Sequence, residues 1–167
     1  MKKIVLTGAA GNLGKLLRAP LAAMCDELLS TDIAQSVGDL ATNETFVQAD
    51  LAKMDDIRPL LEGADMVVHF GALVDEVPFE EIWGPNFVGS YNIWQSAKEH
   101  GVRRVVYASS IHAMGMYPKT VAITPDMPHR PDTYYGLAKC FTEDLGRMFW
   151  EKEGLESVHI RILSATS

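Results

Sequence analysis

Short, nearly unbroken apolar runs alternate along the chain with longer stretches in which apolar residues recur every third or fourth position. The first pattern is that of strands buried on both faces, the second that of amphipathic helices. The spacing predicts a strand at 2–8 (KKIVLTG), a helix at 12–24 despite Pro20, strands at 27–32 (ELLSTD) and 45–50 (TFVQAD), and a short helix at 53–62. A strand at 64–72 (ADMVVHFGA), a long helix at 79–100 and a strand at 102–110 (VRRVVYASS) follow. Pro118, Pro125, Pro128 and Pro131 make 111–131 an irregular loop, after which 132–153 reads as a helix and 156–163 (ESVHIRIL) as a sixth strand. Strands separated by helices throughout predict the α/β class: a doubly wound, Rossmann-type parallel sheet in the order 3-2-1-4-5-6, with helices on both faces. Ligands of such sheets bind beyond the carboxyl ends of the strands, near the switch between strands 1 and 4. The loops after VLTG, LSTD, VVHFG and VYASS are therefore expected to border one cleft, within a single domain covering 1–167.

Composition narrows the partners. The 167 residues carry a formal net charge of −7, and the densest basic cluster is Arg103–Arg104. Neither nucleic acid nor an anionic membrane is expected, because both need a concentrated basic surface. The apolar run in MKKIVLTGAAG is too short for a signal peptide, and no stretch approaches a membrane span. Two distant cysteines, Cys25 and Cys140, fit a reducing cytoplasm better than a disulfide framework. The histidines show no ligand spacing, so no metal is expected. His69 reads as a packing residue at a strand end, and Cys140 likewise as packing. Trp83, Phe87, Tyr91 and Trp94 recur at helical spacing and read as core.

TGAAGNLG places Gly8, Gly11 and Gly14 between the first strand and the first helix. Gly8 permits a sharp turn, Gly11 admits a pyrophosphate close to the backbone, and Gly14 lets the helix pack on the sheet. The helix N-terminus offers free N–H groups and a partial positive charge to the phosphates. A merely flexible turn is the competing reading, and the position between strand and helix favours the first. Asp32 closes the second strand, where a carboxylate can accept both adenosine ribose hydroxyls and repel a 2′-phosphate, so NAD is preferred to NADP. Asp50 and Leu51, after the third strand, suit the adenine edge and ring face.

Tyr135 and Lys139, in YYGLAKC, stand four residues apart and so share one helix face. A free phenol titrates near 10, so serving as a base near neutrality costs about 4 kcal/mol. A cation at about 4 Å supplies about 4 kcal/mol at an effective dielectric of about 20. Packing beside a solvated charge is the alternative. Ser110 ends the fifth strand at the same cleft edge, and its hydroxyl can hold a substrate oxygen against the phenol. Ser109 is the competing choice and reads better as support for the strand end or the nicotinamide. Asn86 reads as a tether from the long helix to a strand end.

TGAAGNLG, Asp32, Asp50–Leu51, HFGA, NFVGSYN, SSIHAMG and YYGLAK stand in the order found in the extended short-chain dehydrogenases/reductases, which the whole chain resembles. Through PFEEI, ASSIHAMGMYP, DTYYGLAKCFTEDLGRMF and RILSATS it is most similar to the uronate dehydrogenases among them. The resemblance implies NAD as cofactor and a Ser-Tyr-Lys triad of Ser110, Tyr135 and Lys139. Tyr135 would take the proton of a sugar hydroxyl while hydride leaves the same carbon, converting a hexuronate to an aldarolactone. It implies cofactor contacts at Gly8, Gly11, Asn12, Leu13, Gly14, Asp32, Ile33, Asp50, Leu51, Phe70, Gly71, Ala72, Ser109 and Ala165, besides Tyr135 and Lys139. Ser110, His112 and Ser164 match substrate-contact positions. Val74 and Ile111 stand where the uronate enzymes tend to carry serine and asparagine, which makes the sugar pocket more apolar. The chain stops at Ser167, before the C-terminal part that forms much of the substrate pocket in that family. A homodimer through helices 79–100 and 132–153 is expected from the same likeness. A sugar-nucleotide epimerase or dehydratase, or an NAD-binding fragment without turnover, would carry the same motifs.

Overall fold

The computed structural model describes residues 1–163. Six strands, β1 (Lys3–Thr7), β2 (Glu27–Asp32), β3 (Glu44–Gln48), β4 (Met66–His69), β5 (Arg104–Ser110) and β6 (Glu156–Ile162), form one parallel sheet in the order β3-β2-β1-β4-β5-β6. The order expected from the alternation of strands and helices is the one observed. Both faces of the central strands are covered, which is why their sequences do not alternate. Ile4 and Leu6 of β1 pack with Leu28, Val68 and the Leu21–Ala22 end of helix α1 (Asn12–Ala22). Val5, between them, faces Leu29, Val67, Val105 and the buried Ile93, Trp94, Leu145 and Phe149.

Prolines account for most departures from the expected helix boundaries. Pro20 lies inside α1, which ends two residues later at Ala22. The segment expected as a helix at 53–62 is a single turn, α2 (Met54–Ile57), continued by a 3-10 turn at Arg58–Leu61 whose second residue is Pro59. The segment 79–100 is not one regular helix. It comprises α3 (Phe79–Ile82), a π-helical stretch at Trp83–Val88 and α4 (Gly89–Glu99). Pro85, in the π stretch, has no N–H to donate to the preceding turn, and a widened turn absorbs that loss. The aromatic residues expected together in the core divide. Trp94 and Phe87 are buried, whereas Trp83 and Tyr91 are about half exposed. The last helix, α5 (Tyr134–Glu153), starts on a Thr133 side chain that accepts the Gly136 N–H and ends at Gly154, whose φ of 71° stops it.

Register brings the chemistry-bearing strand ends to one level. Thr7 stands opposite Thr31 on one side and His69 on the other, and Ser110 stands opposite Ile162. Beyond this edge lie the loops after β1, β2, β4 and β5. At the far side of the sheet β6 is an edge strand, and its Val158 and Ile160 are exposed. Among the described residues no helix is long and apolar enough to cross a membrane.

His69 sits in the core at the carboxyl end of β4, as its packing role requires. Its Nδ1 lies 2.7 Å from the Thr7 hydroxyl, which itself accepts the Gly71 N–H at 3.1 Å. The ring stacks on Tyr107 at 5.4 Å and meets the Trp94 ring edge-on. Burial, followed by the charge of Lys139, pushes its pKa down to about 3. The unfolded chain therefore takes up a proton first on acidification. The stability owed to the neutral ring is complete above about 6.5 and is lost as pH falls towards about 3. Urea unfolding measured across that window should show a decline of up to about 1.4 kcal/mol per pH unit from this group. His69→Gln, which keeps a hydrogen-bonding side chain without a titration, should flatten that slope; an unchanged slope would place the proton uptake on unfolding elsewhere.

Candidate functional site

The loop after β1 is shaped by contacts that only glycine allows. Gly8 has φ 74°, and a Cβ there would stand 2.6 Å from the Gly71 backbone nitrogen, so β1 and β4 leave the sheet with their backbones touching. A Cβ on Gly14 would lie 2.0 Å from the Gly8 carbonyl oxygen. Gly14 therefore admits the loop's own turn against α1, rather than the sheet face that the sequence pattern implied. Gly11 caps α1 without a side-chain hydrogen bond, so the first-turn N–H groups of Asn12, Leu13 and Gly14 meet no capping oxygen from this residue. Asp32 braces the loop: its Oδ2 accepts the Ala10 N–H at 2.9 Å and its Oδ1 the Ala34 N–H at 3.0 Å. Each oxygen keeps a further lone pair. Asp50 Oδ1 accepts the Ala52 N–H at 3.0 Å, and Leu51 packs beneath Gly71. After β4, the Asn86 amide accepts from the Leu73 N–H at 2.8 Å and donates to the Leu73 carbonyl at 2.9 Å, clamping the loop that carries Phe70 to Val74.

The other wall comes from β5 and α5. Gly136 lets the first turn of α5 touch the 3-10 turn at Ile111–Met114, since a Cβ there would be 2.2 Å from the His112 carbonyl oxygen. That contact sets Tyr135 beside Ser110 and His112. The Ser110 hydroxyl accepts the His112 N–H at 3.2 Å, and the His112 ring meets the Tyr135 ring edge-on at 5.8 Å. Asp132 holds the same histidine through Nδ1 at 2.9 Å.

Lys139, one turn further along α5, is 2% exposed. Its ammonium donates to the Ala108 carbonyl at 2.7 Å and lies over the rings of Tyr107 and Tyr135, 4.7 and 4.9 Å from their centroids. Burial pushes its pKa down to about 7, against the raising effect of Glu143. The phenol of Tyr135 is raised, chiefly by burial, while the Ser110 hydroxyl works the other way. The lowering of the phenol by the ammonium that their spacing predicts does not arise in the chain alone, where burial dominates. The cation faces the ring rather than the oxygen, and it too is desolvated.

These groups converge on one cavity of about 830 Å³ at the carboxyl edge of the sheet. Gly8, Gly11, Asn12, Leu13, Gly14, Asp32, Ile33, Asp50, Leu51, Phe70, Gly71, Ala72, Val74, Ser109, Ser110, His112, Tyr135 and Lys139 all line it. Ile111 is the exception. The 3-10 turn carries it to the opposite side, against Met114, Ile123 and Cys140, where it borders a second groove of about 840 Å³ along β6. Ser164 and Ala165 lie outside the described residues. The Ser109 hydroxyl is donated to Glu143, as support for the strand end requires. Thr133, Gly136, Asp132 and Glu143 shape the site although the sequence reading assigned them no part. Thr133 ahead of an apolar helical run carries an N-cap signal, and Glu143 stands four residues after Lys139 on the same face.

The sequence family described as the NAD dependent epimerase/dehydratase family matches residues 4–166. The chain belongs to that family. A uronate dehydrogenase of Pseudomonas putida is 40% identical over 98% of this chain and 61% of its own length. A uronate dehydrogenase of Agrobacterium fabrum is 43% identical over 99% of this chain and 62% of its own. Among solved structures, a mutant uronate dehydrogenase from Agrobacterium tumefaciens complexed with NAD superposes with a TM-score of 0.90 at 42% identity, covering 94% of this chain and 59% of that one. The chain thus spans about three fifths of the length of these family members. The residues present also fit a dinucleotide: the glycines hold open a cradle that side chains would fill, and the uncapped first turn of α1 faces it.

The loop geometry of this family member has a measurable consequence. Gly14→Ala should cost about 2–3 kcal/mol in urea unfolding, because its methyl group must displace backbone. Gly38→Ala, at φ 78° with open space around it, should cost only about 1–2 kcal/mol. Equal costs would mean that the loop yields freely and does not define the cradle.

Proposed function

We propose that the chain binds NAD along the cleft and uses Tyr135, Lys139 and Ser110 to oxidise a hexuronate at its anomeric carbon, giving an aldarolactone. The observation that carries this reading is the convergence of a phenol, an ammonium and a hydroxyl on the cavity that also holds the glycine loop and Asp32. Asp32, Ile33, Asp50 and Leu51 would hold the adenosine end, the N–H groups of Asn12 to Gly14 the pyrophosphate, and Phe70 to Ala72 with Lys139 the nicotinamide end. The carboxylate at Asp32 disfavours a 2′-phosphate, so NAD is read over NADP. When bound, NAD supplies the hydride acceptor. Tyr135 takes the hydroxyl proton, Ser110 donates a hydrogen bond to the same oxygen, and Lys139 offsets the charge that forms on the phenol. His112, held by Asp132, and the exposed Val74 face the substrate side of the cavity.

Tyr135→Phe should leave NAD binding by calorimetry within a factor of about three, and reduce NADH formation from glucuronate or galacturonate by about 10²–10⁴-fold. Full NADH formation by the variant would remove the phenol from the chemistry. Turnover of nucleotide sugars but not of uronates would point instead to the epimerase branch of the family, and NAD binding without any turnover to a binding module.

A second copy of the chain is the partner proposed for α4 and α5. Tyr91, Tyr134, Leu137, Phe141 and Met148 leave a row of exposed apolar side chains on these helices. Sedimentation should show a dimer that Leu137→Lys with Phe141→Glu converts to monomer; a wild-type monomer at about 100 μM would exclude this interface, since specific dimers bind well below that. The two free cysteines fit the cytoplasm as its location.

A further inference from the structure

Behind the cleft lies a group of charges gathered around one buried carboxylate that the proposed chemistry does not use. Glu143 follows Lys139 by one turn of α5 and is 8% exposed. Its Oε1 accepts the Ser109 hydroxyl and the Arg161 Nε at 3.0 Å. Its Oε2 accepts the second Arg161 donor at 2.7 Å and faces His129 Nε2 at 3.0 Å. Four segments that are distant in sequence therefore meet at one carboxylate: the end of β5, β6, the proline-rich loop and α5. Burial would push the Glu143 carboxyl up; Arg161, Ser109 and His129 outweigh it and hold it at about 2. A buried carboxylate is destabilising unless bonded in this way, and once so bonded it locks its partners in place.

Two consequences reach the site. Ser109 precedes Ser110, so fixing the Ser109 hydroxyl fixes the end of β5 against α5. Lys139 is buried, and its ammonium rests on a carbonyl and two rings rather than on an acid in direct contact. The negative charge that raises its proton affinity is Glu143's. The other titratable groups near Lys139 are the phenols of Tyr107 and Tyr135 and the neutral ring of His69. Around Glu143 the charged and titratable neighbours are Arg161 and His159 from β6, His129 from the loop, Asp144 and Cys140 from α5, and Tyr107 from β5.

We propose that Glu143 is a positioning residue for the Ser110–Tyr135–Lys139 group: its carboxylate ties the end of β5 to α5 through Ser109, beside the Ala108 carbonyl that Lys139 grips, and presents a negative charge one helical turn behind Lys139. The inference rests on the reading of those three residues as the reacting group. It assigns Glu143 no contact with substrate or cofactor: the carboxylate acts through Ser109 and through its field at Lys139.

The test is the titration of Lys139 itself, followed by NMR of the chain carrying isotope-labelled lysine, with Lys139→Met to assign the resonance. Glu143→Gln keeps the shape and removes the charge, and should lower the proton affinity of Lys139 roughly tenfold. Ser109→Ala removes a hydrogen bond and keeps the charge, and should leave the Lys139 midpoint within about a factor of two of wild type. Glu143→Gln strands the partly buried Arg161, so Glu143→Gln with Arg161→Gln is the second arm, and there the midpoint should fall by a smaller amount. A Lys139 midpoint equal to wild type in the folded variant overturns the proposal. The titration needs no turnover. Failure of the parent reading would show separately, as Tyr135→Phe without effect on NADH formation.

Discussion

The cleft exists because stretches of backbone approach one another more closely than side chains would allow. Gly8 meets the backbone at Gly71, Gly14 meets the Gly8 carbonyl, and Gly136 meets the His112 carbonyl. The first contact joins the exits of β1 and β4, where the sheet order reverses direction. The second seats the N-terminus of α1 against that exit. The third seats the N-terminus of α5 against the exit of β5. Removing any one would move a whole helix start by the radius of a methyl group, and with it the groups that face the cavity. The contacts lie along one line because all strands are parallel and end at one level. The sheet supplies the alignment and the glycines supply the proximity.

Buried polar groups then stiffen what the glycines bring together. Thr7 links Gly71 to His69, Asn86 clamps Leu73, Arg18 joins Glu44, and Glu143 gathers Ser109, Arg161 and His129. Each would be destabilising if left unpaired, and each is paired across segments rather than along one. The π-helical stretch at Trp83–Val88 belongs to the same economy of form: it places the Asn86 amide against Leu73 while Pro85 lines the cavity.

Strand order was legible because near-continuous apolar runs between helical segments admit few topologies, and right-handed crossovers leave one of them strongly favoured. The glycine loop, Asp32, Ser110, Tyr135 and Lys139 were legible together because ligand sites in such sheets gather at the carboxyl edge. The division of 79–100 was not legible, since the effect of Pro85 depends on how the surrounding turn widens. Ile111 was placed in the substrate pocket on a position matched by resemblance, but a 3-10 turn directly after β5 reverses the side to which it points. Glu143 escaped notice for another reason. Its spacing from Lys139 was visible, yet its partners Ser109, His129 and Arg161 lie on three other segments, and only the fold brings them to one point.

The titration of the site raises a conflict whose resolution is electrostatic. Burial disfavours the charged form of both Tyr135 and Lys139, raising the phenol and bringing the ammonium down to about 7. Taken separately, the groups favour the neutral pair, which is of no use as a base. Taken together, a phenolate beside an ammonium is less costly than the sum of the two isolated charges, because each compensates the desolvation of the other. Anything that keeps the ammonium charged therefore also makes the phenolate accessible. Glu143 stands on the ammonium side of that balance and, being held ionised by Arg161, keeps its charge where Lys139 is losing its own. The carboxylate behind the site and the phenol within it are thus coupled through the lysine between them, although they bear like charges when ionised. A group that repels the phenolate directly can still favour it by holding the nearer cation in place, provided the cation is closer to both than they are to each other. Along α5 the lysine stands between them, one turn from Tyr135 and one turn from Glu143.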